Sequence, residues 1–473
     1  MVMGDALEET DCVVIGAGPG GYVAAIRLGQ LGKQVILVDK DGLGGVCLKT
    51  GCIPSKALIR AADFYWNAKR PNPMGITMES VSVDLKKLRQ WKDDSIGQLE
   101  KGIGLLCKKN NVEVLNGTAT FESPEQILVS GAHGTRRLRF KNVVLATGAE
   151  VATLPVLRDV SEFVWTAEDA LELHEIPKHL VIIGGGYIAA EMVNVYAKLG
   201  SDVSIVERSE RFLEHMDFDA AKVVQQGMGS LGVHLFLKTQ VRSAKKKGKK
   251  LLLELDVDGK IEELFCDRVL VAVGRMAHKE ELGLVHTKAQ LDDHGFIRVN
   301  AQCQTSDPRI FAVGDCTGGP MLAHRAFRQG KVAAEAICGD TSAFDNVAIP
   351  SVVFSDPEVA VAGVGEEEAK KRGLDIIVGK FPFTALGRAV SADATEGFVK
   401  VIADRESQVI IGVVMVGEHV SEFLGEAALA VETACQLEDV AVTIHPHPTF
   451  SEALSEACEQ ALGKAIHVGN KKN

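Results

Sequence analysis

The sequence predicts an α/β fold: two Rossmann-like dinucleotide-binding domains followed by a C-terminal α+β domain. Three observations point there. A strand, a glycine turn, a helix, a second strand and an acid follow one another near the N-terminus and recur in the same register around residue 184. Three further short apolar runs end in glycine, as buried strands delivering a polar end to a ligand edge do. From about Ile349 the pattern changes to Val-rich strands (Val352 to Phe354, Val399 to Ile402, Ile410 to Val416) and a helix-like stretch, Ser421 to Gln436.

The first unit opens with Cys12 to Ile15, then Gly16, Gly18 and Gly21, a helix-like run to Leu31, and Gln34 to Val38 ending at Asp39. The glycines permit a tight turn and close backbone approach to a pyrophosphate at the helix N-terminus. The acid after the second strand can accept from a ribose hydroxyl. An ordinary strand–helix turn would not need that acid.

Next comes Gly44 to Lys56, which puts Cys47 and Cys52 five positions apart, with Pro54 beside the expected start of a helix running to Lys69 and Lys56 one turn inside it. A thiol at a helix N-terminus ionises more easily, and thiolates are the nucleophiles of disulfide exchange. Two within reach of each other can open and close a disulfide during turnover. The alternatives are two buried small residues or half of a metal site. No second close Cys pair occurs in the chain, so no metal is expected. The other eight of the ten cysteines are scattered and read as reduced packing residues.

The second unit runs from Val181 to Ile183 into Gly184, Gly186 and Ala189, a helix to Leu199-Gly200, then Val203 to Val206 and Glu207. Aligning Gly16 with Gly184 puts Asp39 on Glu207 without a gap. Two such units imply two dinucleotides. Glu207 favours an unphosphorylated ribose, hence NAD over NADP, because a carboxylate repels a 2′-phosphate. Arg208 and Arg211 pull the other way, unless they are a solvated face.

The strand-then-glycine segments are Val143 to Gly148 (with Thr147), Val269 to Gly274 and Ile310 to Gly314, the last followed by Asp315. Asp315 is a candidate to bond a cofactor hydroxyl; the plainer alternative is an Asx turn. Lys245 to Lys250 reads as a solvated hairpin tip. Near the C-terminus, Pro446 and Pro448 flank His447, and Ser451-Glu452 look like a helix start. A rigidly held His with a carboxylate five residues on suits a general base whose tautomer is set by that acid. Alone it would read as a structural His; beside a cysteine pair it supplies the missing base.

The totals limit the partners. At 473 residues the chain suggests two to four domains, and a net charge of -11 argues against nucleic acid or an anionic membrane. No apolar run approaches the roughly 20 residues needed to span a bilayer. Met1 to Asp11 carries Asp5, Glu8 and Glu9 and lacks an export signal, so a cytoplasmic protein is expected.

The cysteine segment, both glycine units, Ala146-Thr147-Gly148, Val313-Gly314-Asp315 and His445 to Glu452 together resemble the flavin-dependent pyridine nucleotide-disulfide oxidoreductases, almost end to end. The resemblance implies an FAD domain (1–150), an NAD domain (151–275), a central domain returning to FAD (276–348) and a dimer-interface domain (349–473). It implies FAD at Gly16, Gly18, Gly21, Asp39, Lys56, Thr147, Gly148 and Asp315, and NAD at Gly184, Gly186, Tyr187, Glu207 and Gly274. Within the family the nearest pattern is that of enzymes oxidising dihydrolipoamide, presented on a lipoyl carrier domain. By that pattern His447, oriented by Glu452, deprotonates the dithiol, Cys47 is the interchange thiol and Cys52 faces the flavin. Lys56 and Glu191 resemble the lysine and carboxylate near flavin N5, and Tyr187 the cover of the nicotinamide pocket. His447 would serve the disulfide of the other subunit of a homodimer.

The sequence departs from that pattern at Val46, Lys49-Thr50, Pro446 and Phe327, where Thr, Asn-Val, Ala and an acid are usual. An NADPH-dependent reductase of glutathione-like disulfides is the competing enzyme reading, which Glu207 opposes. A mercuric reductase would want a vicinal Cys pair in the tail, and Lys464 to Asn473 has none. A flavoprotein scaffold would need neither the cysteines nor the histidine.

Overall fold

The structure, a computed structural model, describes residues 7–132, 134–278 and 282–470. The export-signal reading rests partly on Met1–Ala6, and the reading of the tail partly on 471–473, outside the described residues. The chain forms two compact units: 1–57 with 84–152 and 274–345, and 58–83 with 153–273 and 346–473.

The first unit is built on a parallel sheet. Strand Leu7–Ile15 pairs in parallel with Val35–Asp39 on one side and Gly134–Leu145 on the other. Val112–Asn116 extends the first side, and Ile310–Ala312 pairs in parallel with Gly134–Leu145. The antiparallel hairpin Thr118–Ser123 and Gln126–Gly131 completes the sheet. Val13, Val14, Leu37, Val143 and Val144 are fully buried, as a sheet covered on both faces requires. The glycine-led helix, Pro19–Gln30, lies against helix Ala323–Ile337, and Gly20 allows the approach: a Cβ there would sit 2.9 Å from Val313.

The second unit holds another parallel sheet, in the order His234–Phe236, Asp202–Val206, His179–Ile183, Arg268–Val271, Val164–Trp165. The helix after its glycine turn, Tyr187–Leu199, is buried almost all round. Thr239–Lys247 and Lys250–Val257 form the expected hairpin, its basic run at the tip. Beyond 346 the sheet is wholly antiparallel: Ser351–Val353, Glu358–Gly363, Ile410–Gly417, Phe398–Asp404, Ile376–Pro382. Helices Val420–Glu432 and Glu452–Ala461 pack on it.

Lys400, on strand Phe398–Asp404, is 3% exposed. Its ammonium reaches Asp217 at 3.0 Å, Asp219 at 2.9 Å and Glu366 at 3.1 Å. Three carboxylates around one buried cation fasten the start of helix Phe218–Ser230 to the antiparallel sheet.

Two boundaries differ from the expectation. The redox-segment helix begins at Cys52, not Pro54, because a proline lacking its N–H is tolerated in the first turn. The helix expected over Ser421 to Gln436 ends at Glu432. Ala434 turns left-handed (φ 53°), Cys435 N–H closes onto the Ala430 carbonyl, and Gln436 with Asp439 makes a capping box for a new helix, Leu437–Ala441.

Candidate active site

Cys47 lies in the short helix Gly45–Thr50, and Gly51 breaks it (φ -139°, ψ -107°) so that Cys52 can open the helix Cys52–Lys69. The break folds the two sulfurs together. The Cys47 thiol hydrogen-bonds Cys52, and the Cys52 backbone N–H, at the helix start, bonds back to Cys47. Both are present as thiols. The expectation of an easily ionised thiol fails at Cys47: its hydrogen bond to Cys52 and its burial push it well up, against the pull of Lys56. In the dithiol state Cys47 therefore holds its proton. Lys56 also donates to the Ser55 hydroxyl at 3.3 Å.

The two glycine turns match contact for contact. Gly16 (φ 98°) and Gly184 (φ 111°) adopt a backbone that side chains avoid, and a Cβ would sit 2.3 Å from the Ala146 oxygen and 2.4 Å from the Ala272 oxygen respectively. Asp39 accepts from Ala17 N–H at 2.6 Å, and Glu207 accepts from the equivalent Gly185 N–H. Each acid thus sits at the foot of its glycine turn. An added Cβ at Gly148, Gly186 or Gly274 would meet no protein atom, and at Gly18 only Gly45 at 3.9 Å, so these positions front open space. That is the shape a pyrophosphate needs, and the residues fit FAD in the first unit and NAD in the second. Gly21 differs: a Cβ there would meet the Gly16 oxygen at 1.8 Å, so it serves close packing.

Glu207 also accepts from Ser209 N–H at 2.6 Å, so both of its oxygens are held at the glycine turn. Arg211 is committed to Glu367 at 3.1 Å. Arg208 stays exposed. Tyr187 begins the helix and is 42% exposed; Glu191, one turn on, is buried and accepts from Phe354 N–H at 3.4 Å.

Asp315 sits in a single turn after strand Ile310–Ala312. Burial raises its carboxyl above the usual range, while Arg275 and Arg325 pull it back. Arg275 did not stand out in the sequence, although it directly follows Gly274; Arg325 lies in the Ala323-His324-Arg325-Ala326 stretch, whose basic residue fits the family pattern. The Arg275 Nε is buried with no hydrogen-bond partner among the described residues, a donor left available at this wall. Thr147, at the strand end, turns its N–H and hydroxyl to the buried Cys316 sulfur.

His447 and Glu452 meet in the second unit. His447 Nδ1 is 2.7 Å from Glu452, whose other oxygen accepts from Thr449 N–H at 2.7 Å. A proton donated from Nδ1 leaves Nε2 as the acceptor, and the ring is 76% exposed, projecting from its own unit. His445, by contrast, is 6% exposed with both ring nitrogens engaged by Thr443 and Glu426, so it is structural.

The structure brings together Cys47 with Cys52, Gly16 with Asp39, Gly184 with Glu207, and His447 with Glu452. The cysteines and the histidine belong to different units. No cluster that could hold a metal occurs among the described residues.

Residues 10–330 match the family model described as pyridine nucleotide-disulphide oxidoreductase, and 349–458 match that family's dimerisation domain. The dihydrolipoyl dehydrogenase of Geobacillus stearothermophilus is 43% identical over all of both chains. That of Bacillus subtilis is 42% identical over 99% of this chain and all of the relative. Among solved structures, LpdA from Mycobacterium tuberculosis superposes with a TM-score of 0.88 at 27% identity, covering 95% of this chain and 99% of that one.

Proposed function

The chain belongs to the pyridine nucleotide-disulphide oxidoreductases, and within them we propose that it is a dihydrolipoyl dehydrogenase, oxidising dihydrolipoamide with NAD⁺. The observation that carries this reading is the mutual contact of the Cys47 and Cys52 sulfurs at a helix start. It is supported by a solvent-facing imidazole held by a carboxylate in the same chain.

In the proposed reaction His447 takes a proton from one substrate thiol at Nε2, with Glu452 holding Nδ1–H and balancing the imidazolium. The substrate thiolate attacks Cys47 of the oxidised pair; the S–S bond breaks and Cys52 leaves as a thiolate. The second substrate thiol then attacks the sulfur bound to Cys47; the cyclic disulfide forms, and Cys47 departs with its electron pair and takes up the proton that this thiol gives up. The electron pair now resides on Cys47 and Cys52, and the Cys52 N–H that bonds the Cys47 sulfur favours this departure. FAD, when bound, would supply the two-electron chemistry that links this dithiol to NAD⁺. Gly16, Gly18, Gly148, Asp39 and Asp315 would hold FAD, with Gly21 allowing the close packing behind the turn; Gly184, Gly186, Gly274, Tyr187 and Glu207 would hold NAD. Lys56 adds a cation one turn after Cys52, and Glu191 a buried carboxylate one turn into the second glycine-led helix.

The proposal includes a homodimer whose His447 serves the partner's cysteines. Close to that histidine in the chain Ile444 is 96% exposed and Val442 65%, apolar side chains that a second copy would cover. Dihydrolipoamide on a carrier domain is the proposed substrate form, and a cytoplasmic location fits eight further cysteines that sit buried or half-buried as packing residues. No helix among the described residues is long and apolar enough to cross a membrane. The test is steady-state turnover. Yellow protein should reduce NAD⁺ with dihydrolipoamide about 10²-fold faster than NADP⁺, since fixed Glu207 opposes a 2′-phosphate. Faster reduction of glutathione disulfide with NADPH, or protein that cannot be loaded with FAD, would overturn the reading.

A further inference from the structure

Helix Glu452–Ala461 carries two histidine–carboxylate pairs, not one. Glu452 and Glu456 lie one turn apart on the same face. Glu452 engages His447; Glu456 Oε1 engages His467 Nδ1 at 2.6 Å. The Glu456 carboxylate is mostly covered (14% exposed), and its second oxygen is buried with no hydrogen-bond partner among the described residues. A half-satisfied, covered carboxylate needs a cation at hand. Lys464 is turned to Glu438 instead, so the role falls to His467.

We propose that Glu456–His467 is a positioning pair for the base: His467 neutralises a second carboxylate beside Glu452, so that His447 is not held protonated by an uncompensated negative charge. This rests on the reading of His447 as the base. The charged groups facing His467 are Glu456, then Glu459 and Glu452. His447 faces Glu452, and helix Gly387–Ser391 lies beside its ring, where a Cβ at Gly387 would sit 3.9 Å from Cε1. The hydrogen bond from Glu456 and its charge, reinforced by Glu459 and Glu452, raise the proton affinity of His467 above that of an ordinary imidazole. The 2.6 Å contact and this raised affinity favour the (−/+) form of the pair, which is close to electrically silent. Removing the imidazolium leaves (−/0), one turn from the dyad, and the extra anion stabilises protonated His447. Removing both charges leaves (0/0), which is silent again.

The experiment is a double-mutant cycle on the FAD-loaded protein, read by the acid limb of kcat/KM for dihydrolipoamide and by NMR titration of the ¹³C-labelled His447 ring. At about 0.02 M salt His467→Gln should move both upward by about 0.3 pH unit, and about 0.5 M salt should erase most of that shift. His467→Lys should stay at the wild-type position, and Glu456→Gln/His467→Gln should return to it. A limb that stays put or moves down in His467→Gln, or a double variant that keeps the single variant's displacement, overturns the proposal. A wild type without dihydrolipoamide activity would refute the proposed function instead, and the NMR titration would still decide the role of this pair.

Discussion

Glu452→Gln isolates what the carboxylate contributes to the base. Glu452 satisfies two donors at once, His447 Nδ1–H at 2.7 Å and Thr449 N–H at 2.7 Å. A glutamine has one acceptor oxygen. Thr449 N–H is fixed backbone, so the amide oxygen stays with it and the NH₂ turns to the imidazole. The NH₂ can only donate, which forces the histidine proton onto Nε2 and blocks the acceptor that faces substrate. Charge-assisted bonds contribute about 1.5–3 kcal/mol and neutral ones about 0.5–1.5, so losing the better of two costs about 2 kcal/mol once the solvent exposure of His447 is allowed for. That is roughly 30-fold in rate, and the inverted tautomer adds part of the 10²–10⁴ that general-base catalysis supplies. The expected fall in kcat/KM with dihydrolipoamide is therefore about 10²–10³-fold. NADH oxidation by an artificial electron acceptor, which bypasses the dithiol chemistry, should change less than about twofold. A fall below about fivefold, or equal losses in both assays, would refute the tautomer argument.

Other perturbations test other parts. Cys47→Ser should abolish dithiol turnover while leaving NADH oxidation by the artificial acceptor in place; retained turnover would remove Cys47 from the interchange role. In Gly184→Ala the Cβ would sit 2.4 Å from the Ala272 oxygen at φ 111°, and strain of about 1–3 kcal/mol should raise the KM for NAD⁺ by roughly 5–100-fold with the FAD spectrum unchanged. Lys400→Met should cost about 3–5 kcal/mol in urea unfolding, because it leaves Asp217, itself almost fully buried, without its cation. Burial opposes the charge of Lys400, but the bonds to Asp219, Asp217 and Glu366 outweigh it and raise its proton affinity. A raised lysine contributes fully below the unfolded value near 10.5 and loses its contribution only as pH rises beyond it. Wild type and Lys400→Met should therefore differ by a constant amount from about pH 6 to 9, and a gap that closes within that range would contradict the assignment.

Much of the fold was legible because its signals are local. Gly16 and Gly184 need positive φ, and the acids 23 residues on from each answer the N–H next to that glycine. Such constraints act within one βαβ unit, so spacing alone displays them. What stayed hidden depends on side chains that meet across the chain. Thr147 lies in a recognisable strand end, yet nothing local says that its hydroxyl turns to Cys316, 169 positions away. Arg275 and Arg325 reach Asp315 from separate segments. The ionisation of Cys47 was misjudged for a related reason: the helix dipole is written in the sequence, but the neighbouring sulfur and the burial that outweigh it are tertiary.

The catalytic machinery shows the same division more sharply. Cys47 and Cys52 are five positions apart, as are His447 and Glu452, so each pair is set by a turn and a helix start and could be read in isolation. What joins the two pairs cannot be local. Glu452 spends both oxygens within its own turn, yet it leaves His447 76% exposed with Nε2 directed away from the bonds that hold it. An imidazole held this firmly on one edge and bare on the other fits the proposed base for a sulfur that its own turn does not supply. The exposed apolar residues close to that histidine in the chain, Ile444 above all, mark the surface on which a second copy would bring that sulfur. Weakening the dimer by Ile444→Glu should then remove dithiol oxidation while leaving NADH oxidation by an artificial acceptor, a separation that a histidine serving its own chain would not produce. Dithiol activity that survives in protein shown to be monomeric by sedimentation would place base and sulfur in one chain.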